Sequence, residues 1–464
     1  MRISSKPMAL TVIATLLMAV TGCGQGGCIE EDRPDEERDT GVDDADDASD
    51  TETDPEVEST DPPPDCETDA DEPLGLVLTW QRDPTSTMTI DWHTTDEEPR
   101  DTLCVRRGGD DVWDREVDGR RHDVPHLERD LYRVELTELE ADTEYVFQAG
   151  DFEREFRFRT MPEEIDEQRL VFASGGDLRD EQGADEGWFA EMNEMVMDFD
   201  LDFVVWGGDL AYADGGEVSN HRERWREFFA EKLETLVDDD GRVVPVVVGI
   251  GNHEVRKGYY HRYSDYEATD EWREREAPYF HALFAFPGQP GYEALDFGDY
   301  LSIIMLDSHH TNPVDGEQTD WLEEVLGDRT ERGVEHILPV FHYPAYPSKS
   351  PYNQQLPRLL RENWAPLFEE YGVEMAFQHK DHAFLRTYPL RDGEVVDEGE
   401  GVVYLGNGNW GATLRDWMTE VDWYADKFVS AHHAYITTLR GDEINVRAFD
   451  IDGELLDDFG DEIP

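Results

Sequence analysis

Several apolar runs in this sequence are followed directly by side chains that can bind metal ions or transfer protons. Their carboxylate, phenol, amide and imidazole groups belong to Asp177, Asp209, Tyr212, Asn252, His253, His342 and His382. Such oxygen and nitrogen ligands suit iron, manganese or zinc better than softer ions. Two ions that share a bridging carboxylate can clamp a phosphate group and activate a water molecule. The residue types therefore indicate a metal site suited to hydrolysis.

Strand ends must position these side chains. The runs "RLVFAS", "FVVWGG", "VVPVVVGI", "LSIIML" and "HILPVFH" predict buried strands, and charged segments such as "WFAEMNEMVMDF" predict helices between them. The alternation of strands and helices predicts a layered α/β domain over residues 168–464. A sheet brings its strand ends to one edge, where α/β proteins bind ligands. We therefore expect the candidate ligands to converge.

A different pattern covers residues 73–161. The segments "LGLVLTW", "TMTIDWH", "YRVELTEL" and "TEYVFQAG" are short alternating runs separated by turn residues. Short strands at this spacing are typical of an all-β sandwich. The stretch "LTELEADTEYVFQAG" resembles part of the fibronectin type III-like domains. We predict an all-β sandwich domain in front of the α/β domain.

The charge of the chain is strongly negative, with a formal net charge of −70. Nucleic acid is excluded as a partner, because phosphate contacts need Lys and Arg side chains. Residues 24–72 consist mostly of Asp, Glu, Thr, Pro and Gly. Such a segment buries too little apolar surface to fold, so we predict a disordered acidic tether.

Residues 1–23 have the pattern of an export signal. Arg2 and Lys6 precede the apolar run "MALTVIATLLMAV", which is short for a membrane span. The segment "VTGC" resembles a bacterial lipobox, which implies lipidation of Cys23 and an exported lipoprotein anchored in a membrane, periplasmic or at the cell surface. An ordinary signal peptide is the alternative. Among the other cysteines, Cys66 and Cys104 could form a disulfide.

The order of the motifs "GGD", "GDLAYADG", "GNHE", "FHYP" and "HKDH" resembles the metallophosphoesterase superfamily. The tyrosine in "GDLAY" and the preceding β-sandwich are similar to purple acid phosphatases. The resemblance implies a first site for Fe³⁺, held by Asp177, Asp209, Tyr212 and His382. It implies a second site for Fe²⁺, Zn²⁺ or Mn²⁺, held by Asp209, Asn252 and His342. His253 would lie outside the metals and donate to the phosphate or to the leaving oxygen.

The last motif departs from the family pattern Gly-His-x-His. In "HKDH", Lys380 takes the place of a histidine that binds the second metal, and His379 takes the place of the glycine. An ammonium group has no lone pair for a metal, so we expect a weakened second site. Three interpretations remain open: Lys380 replaces the charge of the second metal, His379 moves in through a bulge, or the protein binds without hydrolysis.

Two further departures concern the rest of the pocket. Arg179 stands where relatives carry a histidine or a small residue, and it could bind phosphate bidentately or pair with surface acids. No histidine follows His342 in "YPAYPSKSPYN", which leaves Tyr346 and Lys349 as candidates for the leaving-group acid.

The predicted activity is hydrolysis of phosphomonoesters by a metal-bound hydroxide. The alternatives are a phosphodiesterase on the same scaffold and a surface lipoprotein that binds metal or phosphate without turnover.

Overall fold

The computed structural model describes residues 73–95, 99–124, 127–166, 168–214, 219–414 and 422–463. The predicted signal, Cys23, the acidic tether and Cys66 lie outside these residues. Cys104 is disulfide-bonded. No helix among the described residues is both long enough and apolar enough to cross a membrane.

The N-terminal domain is a β-sandwich, as predicted. One sheet has the order β1-β2-β6-β5 and the other the order β4-β3-β7-β8. Its strands are β1 (Leu76–Thr79), β2 (Met88–Thr94), β3 (Thr102–Arg107), β4 (Arg115–Asp118), β5 (Arg120–Asp123), β6 (Asp130–Leu136), β7 (Glu144–Ala149) and β8 (Phe156–Arg159). Aromatic residues fill the space between the sheets, where Trp92 stacks on Tyr132 and Phe147 on Phe156.

The second domain has two large sheets. The strands of this domain are β9 (Leu170–Gly175), β10 (Phe203–Trp206), β11 (Val246–Val248), β12 (Glu293–Phe297), β13 (Leu301–Leu306), β14 (His336–Phe341), β15 (Met375–Gln378), β16 (Phe384–Thr387), β17 (Leu390–Arg391), β18 (Glu394–Val395), β19 (Val403–Asn407), β20 (Ala425–Val429), β21 (His433–Arg440), β22 (Glu443–Asp450) and β23 (Leu455–Gly460). Of these, β17 and β18 form a separate two-stranded sheet. The helices are α1 (Glu181–Glu186), α2 (Trp188–Met197), α3 (Ser219–Thr235), α4 (Asp270–Glu276), α5 (Pro278–Leu283), α6 (Glu317–Arg332), α7 (Gln355–Asn363) and α8 (Ala365–Glu370).

The two sheets pack face to face and confirm the predicted α/β layering. The six-stranded sheet has the order β11-β10-β9-β21-β22-β23, and the seven-stranded sheet has the order β12-β13-β14-β15-β19-β16-β20. Strands β9 to β11 are parallel to one another, as are β13, β14, β15 and β19. Phe203 of the first sheet stacks on Phe297 of the second at 4.9 Å between ring centroids. The parallel strands therefore end at a common edge.

The β-sandwich packs directly against the α/β domain. Trp80 lies edge-on to Phe203 and Phe297, at 5.9 and 5.6 Å between ring centroids. On helix α3, the Lys232 ammonium donates to the carbonyl of Leu76 at 3.2 Å. The fully buried His93 of β2 lies 4.6 Å from the ring of Phe229, also on α3. The interface thus buries both apolar and titratable groups.

Candidate metal centre

Five loops bring predicted site residues together at the carboxyl ends of parallel strands. The loops follow β9, β10, β11, β14 and β15 and carry Asp177, Asp209, Asn252, His342 and Lys380 respectively. Ligand atoms of Asp177, Asp209 and His342 all lie within 4.8 Å of one another, and all three residues are buried. Side chains separated by 165 positions in the sequence therefore share one pocket of the size that a cation needs.

The first half of this pocket contains Asp177, Tyr212 and His382. The Tyr212 hydroxyl donates to Asp177 Oδ1 at 2.8 Å. His382 Nε2 lies 3.0 Å from the same carboxylate oxygen and 3.1 Å from the phenol oxygen. The other ring nitrogen of His382, Nδ1, faces the carbonyl of Thr413 at 2.9 Å, which turns Nε2 towards the pocket. These residues converge as the sequence predicts.

The protonation of Tyr212 limits which ions fit this half. Burial raises the pKa of the phenol well above its ordinary value, and the charges of Asp177 and Asp209 raise it further. A phenol gives up its proton when it binds a metal, so this raised pKa opposes metal binding unless the charge of the ion offsets it.

Asp209 lies between the two halves and carries a buried oxygen that a metal ion could bind. Its Oδ2 lies 3.1 Å from His342 Nε2, and neither buried atom has a hydrogen-bond partner among the described residues. The other nitrogen of His342, Nδ1, faces the carbonyl of Gly207 at 3.0 Å. Burial alone would raise the pKa of Asp209, but His342 and His253 hold it well below its usual value. A carboxylate and an imidazole without partners fit a metal ion, which would satisfy both.

The second half of the pocket contains Asn252 and Lys380. The Lys380 ammonium donates to Asn252 Oδ1, the oxygen that the family resemblance assigns to the second metal. The backbone of Lys380 has a φ of +63°, and its N–H donates to Asp177 Oδ2 at 2.8 Å. The Lys380 nitrogen lies 5.7 Å from the ring centroid of Tyr343. Lys380 therefore points into the pocket.

His379 has a structural position and does not occupy the second site. Its Nδ1 faces the carbonyl of Asn407 at 2.7 Å. Its ring packs so closely on Gly207 that a Cβ there would lie 1.7 Å from His379 Cδ2. Burial lowers the pKa of His379 to about 4. Strand β15 pairs with β19 in continuous register up to Gln378, so the bulge that would move His379 inwards is absent from this pairing.

His253 and Asp214 form a pair at the edge of the pocket. His253 Nδ1 lies 2.5 Å from Asp214 Oδ1, and its ring stacks on Tyr212 at 4.1 Å between centroids. Its other nitrogen, Nε2, lies 3.9 Å from Asp209 Oδ2 and so faces the metal ligands. Burial lowers the pKa of His253, but Asp209 and Asp214 outweigh it and raise the value overall. The sequence prediction missed Asp214, although the residue belongs to the motif "GDLAYADG".

A carboxylate behind the ligands fixes two of the loops. Glu254 Oε2 accepts from the backbone N–H groups of Asp209 at 2.8 Å and Gly251 at 2.7 Å, and Oε1 accepts from Leu210 at 2.8 Å. Burial, together with the charge of Asp209, raises the pKa of Glu254 to about 7. This positioning role was not predicted, although the fourth residue of "GNHE" was the available signal.

The sequence also suggested Arg179 for phosphate binding, and Tyr346 and Lys349 for protonation of the leaving group. The structure gives the surroundings of each. Arg179 is 3 % exposed, and its guanidinium contacts Glu227 and Glu231 of α3 at 3.1 and 3.2 Å. Its side chain is therefore engaged by helix carboxylates. Tyr346 is buried against Tyr404, at 4.5 Å between ring centroids, and burial raises the pKa of its hydroxyl. Lys349 is exposed, and its backbone N–H donates to Asp381 Oδ2 at 2.8 Å.

Comparisons with known proteins identify two families that match this chain. Residues 73–160 match the purple acid phosphatase N-terminal domain, and residues 158–378 match the calcineurin-like phosphoesterase family. Purple acid phosphatase 18 of Arabidopsis thaliana is 24 % identical over 281 residues, which cover 60 % of this chain and 58 % of that relative. An uncharacterized protein of Mycobacterium tuberculosis is 25 % identical over 380 residues, which cover 73 % of this chain and 69 % of that protein.

A solved structure shows the same fold. Purple acid phosphatase PPD1 from seeds of yellow lupin (Lupinus luteus) superposes with a TM-score of 0.68 at 14 % identity, covering 83 % of this chain and 73 % of that chain. At this identity the likeness concerns the fold alone. By their matches, residues 73–160 belong to the purple acid phosphatase N-terminal domain family and residues 158–378 to the calcineurin-like phosphoesterase family, and the fold of the chain is similar to that of a purple acid phosphatase.

Proposed function

We propose that this protein is a metal-dependent phosphomonoester hydrolase of the purple acid phosphatase type. The single observation that carries the proposal is the convergence of three buried side chains, Asp177, Asp209 and His342, whose ligand atoms all lie within 4.8 Å of one another. Asp209 Oδ2 and His342 Nε2 lie 3.1 Å apart and have no hydrogen-bond partner among the described residues. The domain that holds them matches the calcineurin-like phosphoesterase family.

The first half of the pocket fits one strongly Lewis-acidic ion. Asp177, Asp209, Tyr212 and His382 would hold it, and the raised pKa of Tyr212 favours Fe³⁺. The ion would polarise a phosphoryl oxygen and lower the pKa of a water molecule, which is the nucleophile. A second ion, Fe²⁺, Zn²⁺ or Mn²⁺, would have only Asp209, Asn252 and His342, and it would meet the Lys380 ammonium at Asn252.

Lys380 is proposed to replace the charge of that second ion. Its ammonium lies inside the pocket, beside Asn252 and Tyr343. A lysine binds phosphate as a point charge with three donors. It can therefore stabilise the negative charge on the phosphoryl oxygens and orient the ester.

His253 is proposed to supply the proton for the leaving group. The water molecule gives one proton to the solvent and its oxygen forms a new bond to phosphorus. The bond from phosphorus to the ester oxygen breaks, and that oxygen takes a proton from His253 and leaves as an alcohol. The solvent then returns a proton to His253. Because Nδ1 of His253 is engaged by Asp214, the nitrogen that faces the reaction is Nε2. Such a positioned acid contributes about 10²- to 10⁴-fold to the rate.

Metal content and activity measured on the same preparation test the proposal. We expect one tightly bound iron per chain, a visible tyrosinate absorption band, and hydrolysis of para-nitrophenyl phosphate. Asp209→Asn is the matched control, because it changes one oxygen to an amide and leaves the volume almost unchanged. A preparation without metal, or with a rate equal to that of Asp209→Asn, would contradict the proposal.

Binding without turnover is the second candidate, because the Lys380 ammonium occupies the amide oxygen that a second metal would need. In that case the wild-type protein would bind inorganic phosphate in calorimetry, and its hydrolysis rate would equal that of Asp209→Asn.

Export is a separate proposal that rests on the sequence of residues 1–23. We propose lipidation of Cys23, a membrane anchor, and an extracytoplasmic location in which phosphate esters are the partners. Incorporation of labelled palmitate into the full chain, and its loss in Cys23→Ser, would support the anchor. Equal labelling of both proteins would overturn it.

A further inference from the structure

The loop that follows Asn252 and His253 is basic in an otherwise acidic protein. Residues 256–262, "RKGYYHR", include Arg256, Lys257, His261 and Arg262 and no acid, whereas the chain has 110 Asp and Glu against 40 Lys and Arg. The side chains of all four of these residues are exposed. We call this segment the basic loop.

The basic loop borders the second half of the pocket through Tyr259. The Tyr259 hydroxyl lies 3.4 Å from Asn252 Oδ1, and its ring centroid lies 6.0 Å from that of Tyr343. The guanidinium carbon of Arg262 lies 4.6 Å above the centroid of the same Tyr259 ring. A Cβ on Gly258 would lie 3.4 Å from Asn252 Cβ and 3.6 Å from Arg262 Nη1. Arg262 Nη1 therefore lies within about 7 Å of the Cβ of Asn252, the residue that accepts from Lys380.

Two cations of the basic loop lack acidic partners. Arg262 Nη1 donates to the carbonyl of Lys257 at 2.9 Å, and the Lys257 ammonium lies 4.3 Å from the ring centroid of Tyr263. No described carboxylate forms an ion pair with Arg262 or Lys257, whereas Arg256 Nε lies 4.0 Å from Glu276 Oε2. Exposed cations beside a pocket that form no ion pair with a described carboxylate, in a chain so rich in acids, are suited to binding an anion from solution.

We propose that Arg262 and Lys257 form a subsite for a second phosphoryl group of the substrate. The preferred substrates would be phosphomonoesters whose leaving group carries another phosphate. This inference rests on the proposed function, because the metal ligands and Lys380 would hold the phosphoryl group that is cleaved. The planar guanidinium of Arg262 can bind the distal phosphate through two parallel hydrogen bonds. The net charge of −70 repels polyanions, so a local positive subsite is needed to bind them.

Kinetics with matched sugar phosphates test the subsite. The measured quantity is the ratio of kcat/KM for glucose 1,6-bisphosphate to kcat/KM for glucose 6-phosphate. We expect this ratio to fall about tenfold or more in Arg262→Gln, and further in the Lys257→Gln, Arg262→Gln double variant, because a charge-assisted hydrogen bond is lost. The fall should come from a higher KM for glucose 1,6-bisphosphate with kcat unchanged, because the contact is remote from the phosphoryl group that is cleaved. Arg256→Gln is the control from the same loop and should leave the ratio unchanged.

A binding experiment separates failure of the subsite from failure of the proposed function. Calorimetry on the iron-loaded protein compares propane-1,3-diphosphonate with propylphosphonate. Stronger binding of the diphosphonate that is lost in Arg262→Gln but kept in Arg256→Gln supports the subsite, even if the wild-type protein hydrolyses neither sugar phosphate. Binding that depends on Arg262, together with the absence of hydrolysis, would overturn only the proposed function. Equal affinity of the wild-type protein for both phosphonates, or the same loss in Arg256→Gln, overturns the subsite.

Discussion

On one side of Asp209 the pocket holds Asp177, Tyr212 and His382, and on the other side it holds Asn252, His342 and Lys380. Every group on the first side can give an electron pair to a cation, and His382 and Tyr212 already meet at Asp177 Oδ1. On the second side, one of the groups is itself a cation, and it donates to Asn252.

The difference is that Lys380 brings a positive charge to the position at which the family pattern has a metal-binding histidine. The carboxylate of Asp209 remains between the two sides, with a pKa held well below its usual value by His342 and His253. We therefore expect the two halves to respond differently to substitution. The first half should control metal binding, and the second half should control the fit of the phosphate.

The largest effect is expected when one ligand is removed from the first half. Asp177→Asn should abolish tight binding of the metal and lower the phosphatase rate by about 10³-fold, because the electrostatic stabilisation of the reaction is lost. Asn252→Ala, in the second half, should keep the metal and lower the rate by only about tenfold. Metal analysis and steady-state kinetics on both variants test the comparison. Equal losses of metal would show that the two halves do not differ.

A smaller effect is expected at the pair on the rim. His253→Gln should lower kcat by about 10²-fold with the metal retained, because the proton donor is lost. Asp214→Asn should cost about tenfold, since it leaves His253 in place but removes the group that orients Nδ1. If Asp214→Asn costs more than His253→Gln, the carboxylate has a role of its own and the assignment of the proton to His253 is wrong.

The smallest effect concerns the stability of the fold in acid. The two halves can be compared only at a pH at which the protein stays folded. Burial, together with the charges of Arg129 and Arg133, lowers the pKa of His93 to about 3. The unfolded chain takes up this proton near pH 6.5, so the contribution of His93 to stability is complete above that value and is lost as the pH falls towards 3. One such group costs about 2 kcal/mol near pH 5.

Urea unfolding at neutral pH and near pH 5 measures this effect. His93→Met should reduce the acid-induced loss in the free energy of unfolding by about 2 kcal/mol. His261→Gln, which changes an exposed histidine, is the control and should leave most of the loss in place. An unchanged acid loss in His93→Met would show that His93 does not limit stability in acid.

The strands and the side chains at their ends were predictable because neighbouring residues in the sequence indicate both. An apolar run followed by "GGD", "GDLAY" or "GNHE" indicates both the strand and the side chain at its end. Parallel pairing then brings these ends to one edge. The convergence of Asp177, Asp209, Tyr212, His342 and His382 could therefore be predicted before their distances were known.

The directions of Lys380, His379 and Arg179 could not be predicted, because they depend on contacts that are distant in sequence. Lys380 enters the pocket on a backbone with φ of +63° that is fixed by Asp177, 203 positions away. His379 is held against Gly207 by packing between the two sheets. Arg179 is held by carboxylates on α3. Each outcome follows from tertiary packing that a motif does not encode.

The most direct test of charge replacement is the number of metal ions bound per chain in the wild-type protein and in Lys380→His, with Lys349→His as the control on a neighbouring loop. We predict one tightly bound ion in the wild-type protein and in Lys349→His, and two in Lys380→His, because the imidazole would complete the second site with Asn252 and His342. Two ions in the wild-type protein, or no gain in Lys380→His, would contradict the claim that the Lys380 ammonium stands in place of the second metal.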